Sequence, residues 1–201
     1  GGPKYAFSPD SRVLAYVSSS EKNIANSTNT DIYLMPLGGN QTVNITLAND
    51  AWDGTPIYSP DGNYIAYKTH SIPGFEADRF RIAVYNTQTL LSETLSESFD
   101  YTTDNLSWSS DSKSIYFLAD NRGYSPVYNI DIQYKNITKV TDDKSVRGYQ
   151  FSKDEKKLFI TYSTVDKPAE IFSYDVNAGI YSQITYFNKK LTEEVDIRPA
   201  E

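Results

Sequence analysis

Short runs of β-branched and aromatic residues, such as YIAY at 64–67, SIYFL at 114–118 and KLFITY at 157–162, are separated by polar turn segments along the whole chain. Residues of this kind pack on pleated, half-buried surfaces better than on helices, so the runs predict strands and almost no helix. One phrase introduces these runs four times: FSPDSRVLAYVS from Phe7, YSPDGNYIAYKT from Tyr58, WSSDSKSIYFLA from Trp108 and FSKDEKKLFITY from Phe151. Each copy reads aromatic, Ser, any residue, Asp, and then an apolar run. A second half recurs as well: DIYLMPL from Asp31, RIAVYNTQTLLSETL from Arg81, PVYNIDIQYKNITKVT from Pro126 and AEIFSYDVNAGIYSQIT from Ala169. Each of these reads as strand, polar turn, strand. A period of roughly 40 to 50 residues, with four short strands per period, is the pattern of stacked propeller blades. The expected fold is all-β: a β-propeller fragment of about four blades, each of four antiparallel strands, over residues 4–47, 55–95, 105–141 and 148–185.

The Ser-x-Asp turns need no ligand to explain them. Ser and Asp side chains accept hydrogen bonds from backbone N–H groups inside a turn, Pro9 and Pro60 preset φ, and Gly62 tolerates positive φ. Asp10, Asp61, Asp111 and Asp154 are therefore read as structural turn residues. Because these turns join first and second strands, they share one face of the fragment. The connections between second and third strands lie on the opposite face, and they include the long loops 18–30, 69–80, 120–125 and 163–167. Binding residues are usually found on such loops.

Composition narrows the chemistry. The 201 residues carry a net charge of −7, with no Cys, one His, two Trp and seventeen Tyr. Lys and Arg are scattered singly, whereas a phosphate backbone requires a clustered basic face, so no nucleic-acid partner is expected. At strand spacing the tyrosines read as packing residues. No apolar stretch is long enough to cross a bilayer, and no membrane partner is expected. A serine hydrolase needs an elbow Ser, a His base and an orienting acid, and no pair of glycines brackets a Ser in that way. The single His70 sits in the loop THSIPGFEADR and is expected to be solvated or hydrogen-bonded there. Without Cys, and with one His, a structural zinc site is excluded, whereas a hard-cation site of carboxylates is not. Asp50 and Asp53 in NDAWDG lack the distal Glu of a calcium loop and read as an inter-blade loop. No catalytic residue, metal or cofactor is assigned. Five N-glycosylation sequons, at Asn26, Asn40, Asn44, Asn105 and Asn136, would matter only in a eukaryotic secretory protein. The opening GGPKYAF is not a signal peptide and begins almost at a strand, so the natural N-terminus is expected further upstream.

The repeat phrase, the loop PGFEADRFRIAVYN and the closing PAEIFSYDVNAGIYSQITYFNKKL together resemble the propeller domain of the prolyl oligopeptidase family of serine peptidases, on its acylaminoacyl-peptidase and dipeptidyl-peptidase-like branch. The TolB propeller shares the blade phrase and is the second choice. The resemblance covers essentially the whole chain. It implies a propeller of seven or eight blades followed by a C-terminal α/β-hydrolase domain with the Ser, Asp and His triad, so that residues 186–201 would be an exit segment toward that domain. It also implies that the propeller gates the active site and contacts substrate. Acidic loop residues of dipeptidyl peptidases in this family bind the free amino terminus of the peptide. Glu76 and Asp78, with Arg79 beside them, are the candidate substrate-binding residues here, although the family's double-Glu motif is missing and the charges could instead pair with one another. The implied partners are the remaining blades, the hydrolase domain and a peptide substrate; the implied location is periplasmic or secreted, with cytoplasmic relatives also known. Open blade ends are further expected to self-associate.

Overall fold

The computed structural model describes residues 4–20, 27–39, 41–164 and 166–195. The sequons at Asn26 and Asn40, parts of the 18–30 and 163–167 loops, the first three residues and the end of the exit segment lie outside the described residues. Among these, strands β1 (Tyr5–Phe7), β2 (Val13–Ser18), β3 (Asp31–Pro36) and β4 (Val43–Asn44) form the first sheet. The second is β5 (Asp53–Tyr58), β6 (Tyr64–Thr69), β7 (Arg81–Asn86) and β8 (Leu91–Thr94). The third is β9 (Thr103–Trp108), β10 (Ser114–Ala119), β11 (Val127–Asp131) and β12 (Ile137–Lys139). The fourth is β13 (Ser145–Phe151), β14 (Lys157–Ser163), β15 (Glu170–Asp175) and β16 (Ile180–Gln183). Every sheet is an antiparallel meander in chain order, as a propeller blade requires. A short helix, α1 (Lys189–Glu194), follows. The chain divides into two compact units, Gly1–Phe117 with Ile130–Asn136 and Leu118–Asn129 with Ile137–Glu201.

The four turns repeat one hydrogen-bond pattern. The hydroxyls of Ser8, Ser59, Ser109 and Ser152 donate to Asp10, Asp61, Asp111 and Asp154 at 2.6–2.7 Å. Each Asp accepts the backbone N–H two residues on, from Arg12, Asn63, Lys113 and Lys156. Each Ser Oγ in turn accepts the N–H that opens the second strand. The residue after the Asp is left-handed in all four copies, with φ of 57° at Ser11, 76° at Gly62, 61° at Ser112 and 54° at Glu155, so only one module uses the residue for which that conformation is free of strain. The Ser hydroxyl lowers the carboxyl of Asp10, Asp111 and Asp154. At Asp61 burial pushes upward, and Ser59 with the Asn63 N–H more than offsets it.

Two further repeats come from tertiary contacts. Hydroxyls of Thr46, Ser96, Thr141 and Thr185 accept the N–H of Ile32, Ile82, Val127 and Ile171, each fourteen positions earlier, at 2.8–3.0 Å. The chain one or two residues before a third strand also bonds to the start of the next sheet, or to the residue just before it. Asp53 N–H donates to Thr30 O at 2.9 Å, Thr103 N–H to Phe80 O at 3.0 Å, and Ser125 N–H to Lys144 O at 3.0 Å. Within the first unit, Ala15 and Ile32 of the first sheet pack on Ile65, Tyr67, Ala83 and Tyr85 of the second, with Val17, Leu34, Ile45 and Tyr58 at the margin. Strands β6 and β7 are buried on both faces, which is why they read as continuous apolar runs.

Candidate functional site

The loop between β6 and β7 carries the residues singled out from sequence, and its geometry follows from Asp78. That carboxylate is buried. It accepts the N–H groups of Ser71 at 2.7 Å and Ile72 at 3.1 Å, closing the loop on itself, and it holds Arg81 Nη1 at 3.1 Å. Burial pushes its carboxyl upward, but the Ser71 N–H, the Arg81 guanidinium and the Ile72 N–H outweigh burial and hold it down at about 2. Arg79 is also committed: its guanidinium donates to the carbonyls of Ser96, Phe99 and Glu97, the last at 2.6 Å, and so ties the loop to the link that follows β8. Glu97 completes the network, 3.3 Å from Arg81 Nε and 3.7 Å from Arg79 Nη2. Glu76 is exposed and forms no ion pair among the described residues.

His70 differs from its expected environment. It is 4% exposed, and neither ring nitrogen has a hydrogen-bond partner among the described residues. Its ring stacks on Phe80 at 4.2 Å and tilts against Trp52 at 5.8 Å, in an aromatic slot. Desolvation pushes its pKa down; Asp78 opposes that shift, and Arg81 and Lys68 add to it. Lys68 is buried beside it, 4.3 Å from the centre of the Phe80 ring and 2.7 Å from Asp104. Among the described residues, no hydroxyl is hydrogen-bonded to either ring nitrogen of His70.

A cleft of about 270 Å³ opens beside this slot, lined among others by Asn49, Asp53, Thr69, His70, Arg81 and Glu97. Asp50 is exposed and stands apart from it, whereas Asp53 is 1% exposed and held by the Asn49 amide. The two acids share the NDAWDG segment, but Asp53 opens β5 and is buried there against the first sheet. Among the described residues no group of three or more His, Cys, Asp or Glu side chains could hold a metal ion, and no helix is long and apolar enough to cross a membrane.

No family model matches the chain. Over 193 residues it is 28% identical to dipeptidyl-peptidase 5 of Porphyromonas gingivalis, an overlap that takes in 95% of this chain and 28% of that protein. The chain is homologous to dipeptidyl-peptidase 5 along nearly its whole length. It spans little more than a quarter of the length of the dipeptidyl-peptidase 5 relatives it matches. Solved structures share the fold: the acylaminoacyl peptidase of Pyrococcus horikoshii aligns with a TM-score of 0.72 at 14% identity, over 96% of this chain and 28% of that one. TolB of Acinetobacter baumannii aligns with a TM-score of 0.62 at 21% identity, over 91% and 43%. The four sheets are blades of a β-propeller of the kind seen in these proteins.

Proposed function

We propose that the chain is the non-catalytic propeller portion of a serine peptidase of the prolyl oligopeptidase family, which gates entry to an active site on an α/β-hydrolase domain and lends loops to the substrate. The observation that carries this reading is the similarity to dipeptidyl-peptidase 5 over 95% of this chain but only 28% of that protein. Its partners on this reading are the remaining blades, the hydrolase domain and a peptide, in a periplasmic or secreted setting. Asp78 and Arg79 are occupied in holding the loop, so Glu76 is the carboxylate available to a peptide's ammonium group.

The test is fluorophosphonate labelling of the source lysate, followed by an immunoblot raised against this chain. The expected result is a labelled band several times heavier than 22.7 kDa. An unlabelled band would overturn the reading in favour of a TolB-like interaction platform. The proposal also has the isolated chain self-associating through apolar sheet faces, where Tyr5, Phe7, Phe159 and Ile171 are exposed. Light scattering of the 201-residue chain should then give a mass that rises with concentration, and a constant 22.7 kDa would rule this out.

A further inference from the structure

The seam between the first and second sheets encloses two carboxylates. Asp31 is 3% and Asp53 1% exposed, and among the described residues neither meets a Lys, Arg or His side chain in an ion pair or hydrogen bond. Their donors are few. The Thr46 hydroxyl has one hydrogen, which it gives to Asp31 at 3.2 Å while also lying within reach of Asp53. The Asn49 amide has two, yet four oxygens converge on its nitrogen: Asp53 Oδ1 at 3.2 Å, Asp53 Oδ2 at 3.1 Å, Thr69 Oγ1 at 3.1 Å and His70 O at 3.0 Å. The Thr69 hydroxyl also lies within reach of Asp53, but its one hydrogen is shared with the His70 carbonyl at 3.0 Å, so its relief is partial.

The charged and titratable groups facing Asp53 from the surrounding elements do not supply the missing cation. From β3 comes Asp31, and from β6 come Tyr67 and, just past the strand, His70, whose protonation is disfavoured by burial. From β7 comes Arg81, whose guanidinium is taken by Asp78 and Glu97. From β8 and the link beyond it come two more acids, Glu93, which is paired with Lys135, and Glu97. A buried carboxylate that faces another and lacks a cation is more stable with its proton than without.

We propose that Asp53 carries a proton in the folded chain in acidic solution, and that its release as the solution turns alkaline loosens the clasp between the first and second sheets and reshapes the cleft they border. Burial pushes the Asp53 carboxyl up to about 7; Thr69 and Asn49 partly offset this, and Asp31 adds to it. Because the folded value lies above the unfolded one, the stabilisation is complete below about pH 4 and is lost as pH rises through about 7. The strain falls on the clasp itself. Asp53 N–H donates to Thr30 O at 2.9 Å, and the Thr30 hydroxyl donates to Asp53 O at 2.8 Å. Trp52, one residue earlier, provides a built-in reporter, with its ring 4.9 Å from that of Phe80.

Tryptophan emission and the thermal midpoint of the 201-residue chain should be followed from about pH 5 to about pH 8.5 for the unaltered protein, Asp53→Asn and His70→Gln. The expected result is an emission transition near pH 7, with a thermal midpoint that falls from pH 5 to about pH 7 and then levels; both persist in His70→Gln, whereas in Asp53→Asn the emission transition is abolished and the midpoint no longer falls over that range. Survival of the transition in Asp53→Asn, or its loss in His70→Gln, would overturn the proposal. Should Asp53→Asn fail to fold, carboxyl-carbon NMR of the unaltered chain decides the matter: an Asp53 resonance titrating near pH 7 supports the proposal, and one titrating near pH 4 refutes it.

Discussion

Asp78→Ala is expected to lower the stability of the chain by about 3 kcal/mol, because it removes the buried partner of the Arg81 guanidinium and leaves it only the exposed carboxylate of Glu97. The side chains of Asp78 and Arg81 are 5% and 8% exposed, so the pair is largely withdrawn from solvent. The same change strips the acceptor from the N–H groups of Ser71 and Ile72, and the loop loses its closure. Glu76→Gln, two residues away on the exposed part of the loop, should leave stability within about 0.5 kcal/mol. Urea midpoints of both variants separate the two roles: if Asp78→Ala unfolds at the same midpoint as the parent chain, its carboxylate is not holding the loop. Acid should show the same dependence. The folded Asp78 carboxyl lies near 2, below its unfolded value of 3.8, so its contribution is present above about pH 4 and disappears as pH falls through about 2.

A second large effect is expected at Gly54, where the chain needs a residue without a side chain. A Cβ built there would lie 2.5 Å from both Cη2 and Cζ2 of Trp52, far inside van der Waals contact. The indole could yield only by leaving the slot it shares with His70 and Phe80, over which Lys68 also lies. Overpacking of this kind costs about 1–3 kcal/mol, so Gly54→Ala should unfold at a clearly lower denaturant concentration and shift the tryptophan emission maximum. An unchanged midpoint together with an unchanged spectrum would mean that the indole has another place to go. The bulge in β5 just beyond, with Thr55 at a φ of 53°, leaves little slack in the backbone.

How far the sequence could be read depended on the reach of each interaction. The aromatic–Ser–x–Asp phrase is legible because its bonds close within five residues, from Ser59 Oγ to the Tyr64 N–H for example, so spacing alone encodes them. The hydroxyl seats of Thr46, Ser96, Thr141 and Thr185 act over fourteen positions, through pairs as common as Ile-Thr and Leu-Ser. Their trace is visible once the modules are aligned, in NIT, TLS, KVT and QIT at the end of each, and it accounts for the buried Thr of the Asn44 sequon. The charges of the 69–80 loop stand out in sequence as a cluster. Which of them remain available depends on the carbonyls of Ser96, Glu97 and Phe99, which the link after β8 brings alongside Arg79. The burial of His70 is likewise a tertiary effect, since Trp52 and Phe80 reach it from the ends of other strands.

The hydroxyl seats and the links before each third strand bear on how such a chain could have grown. Each seat reaches back to the third strand of its own module, from Thr46 to Ile32 or from Thr185 to Ile171, while the link before that strand reaches forward into the next module, from Thr30 to Asp53. The two stitches overlap along the sequence, as tiles do on a roof. A gene segment of one period, cut at almost any phase and inserted in tandem, would therefore restore every stitch it broke. Lineages of such proteins can gain or lose blades by unequal recombination without the breakpoints having to fall at blade boundaries.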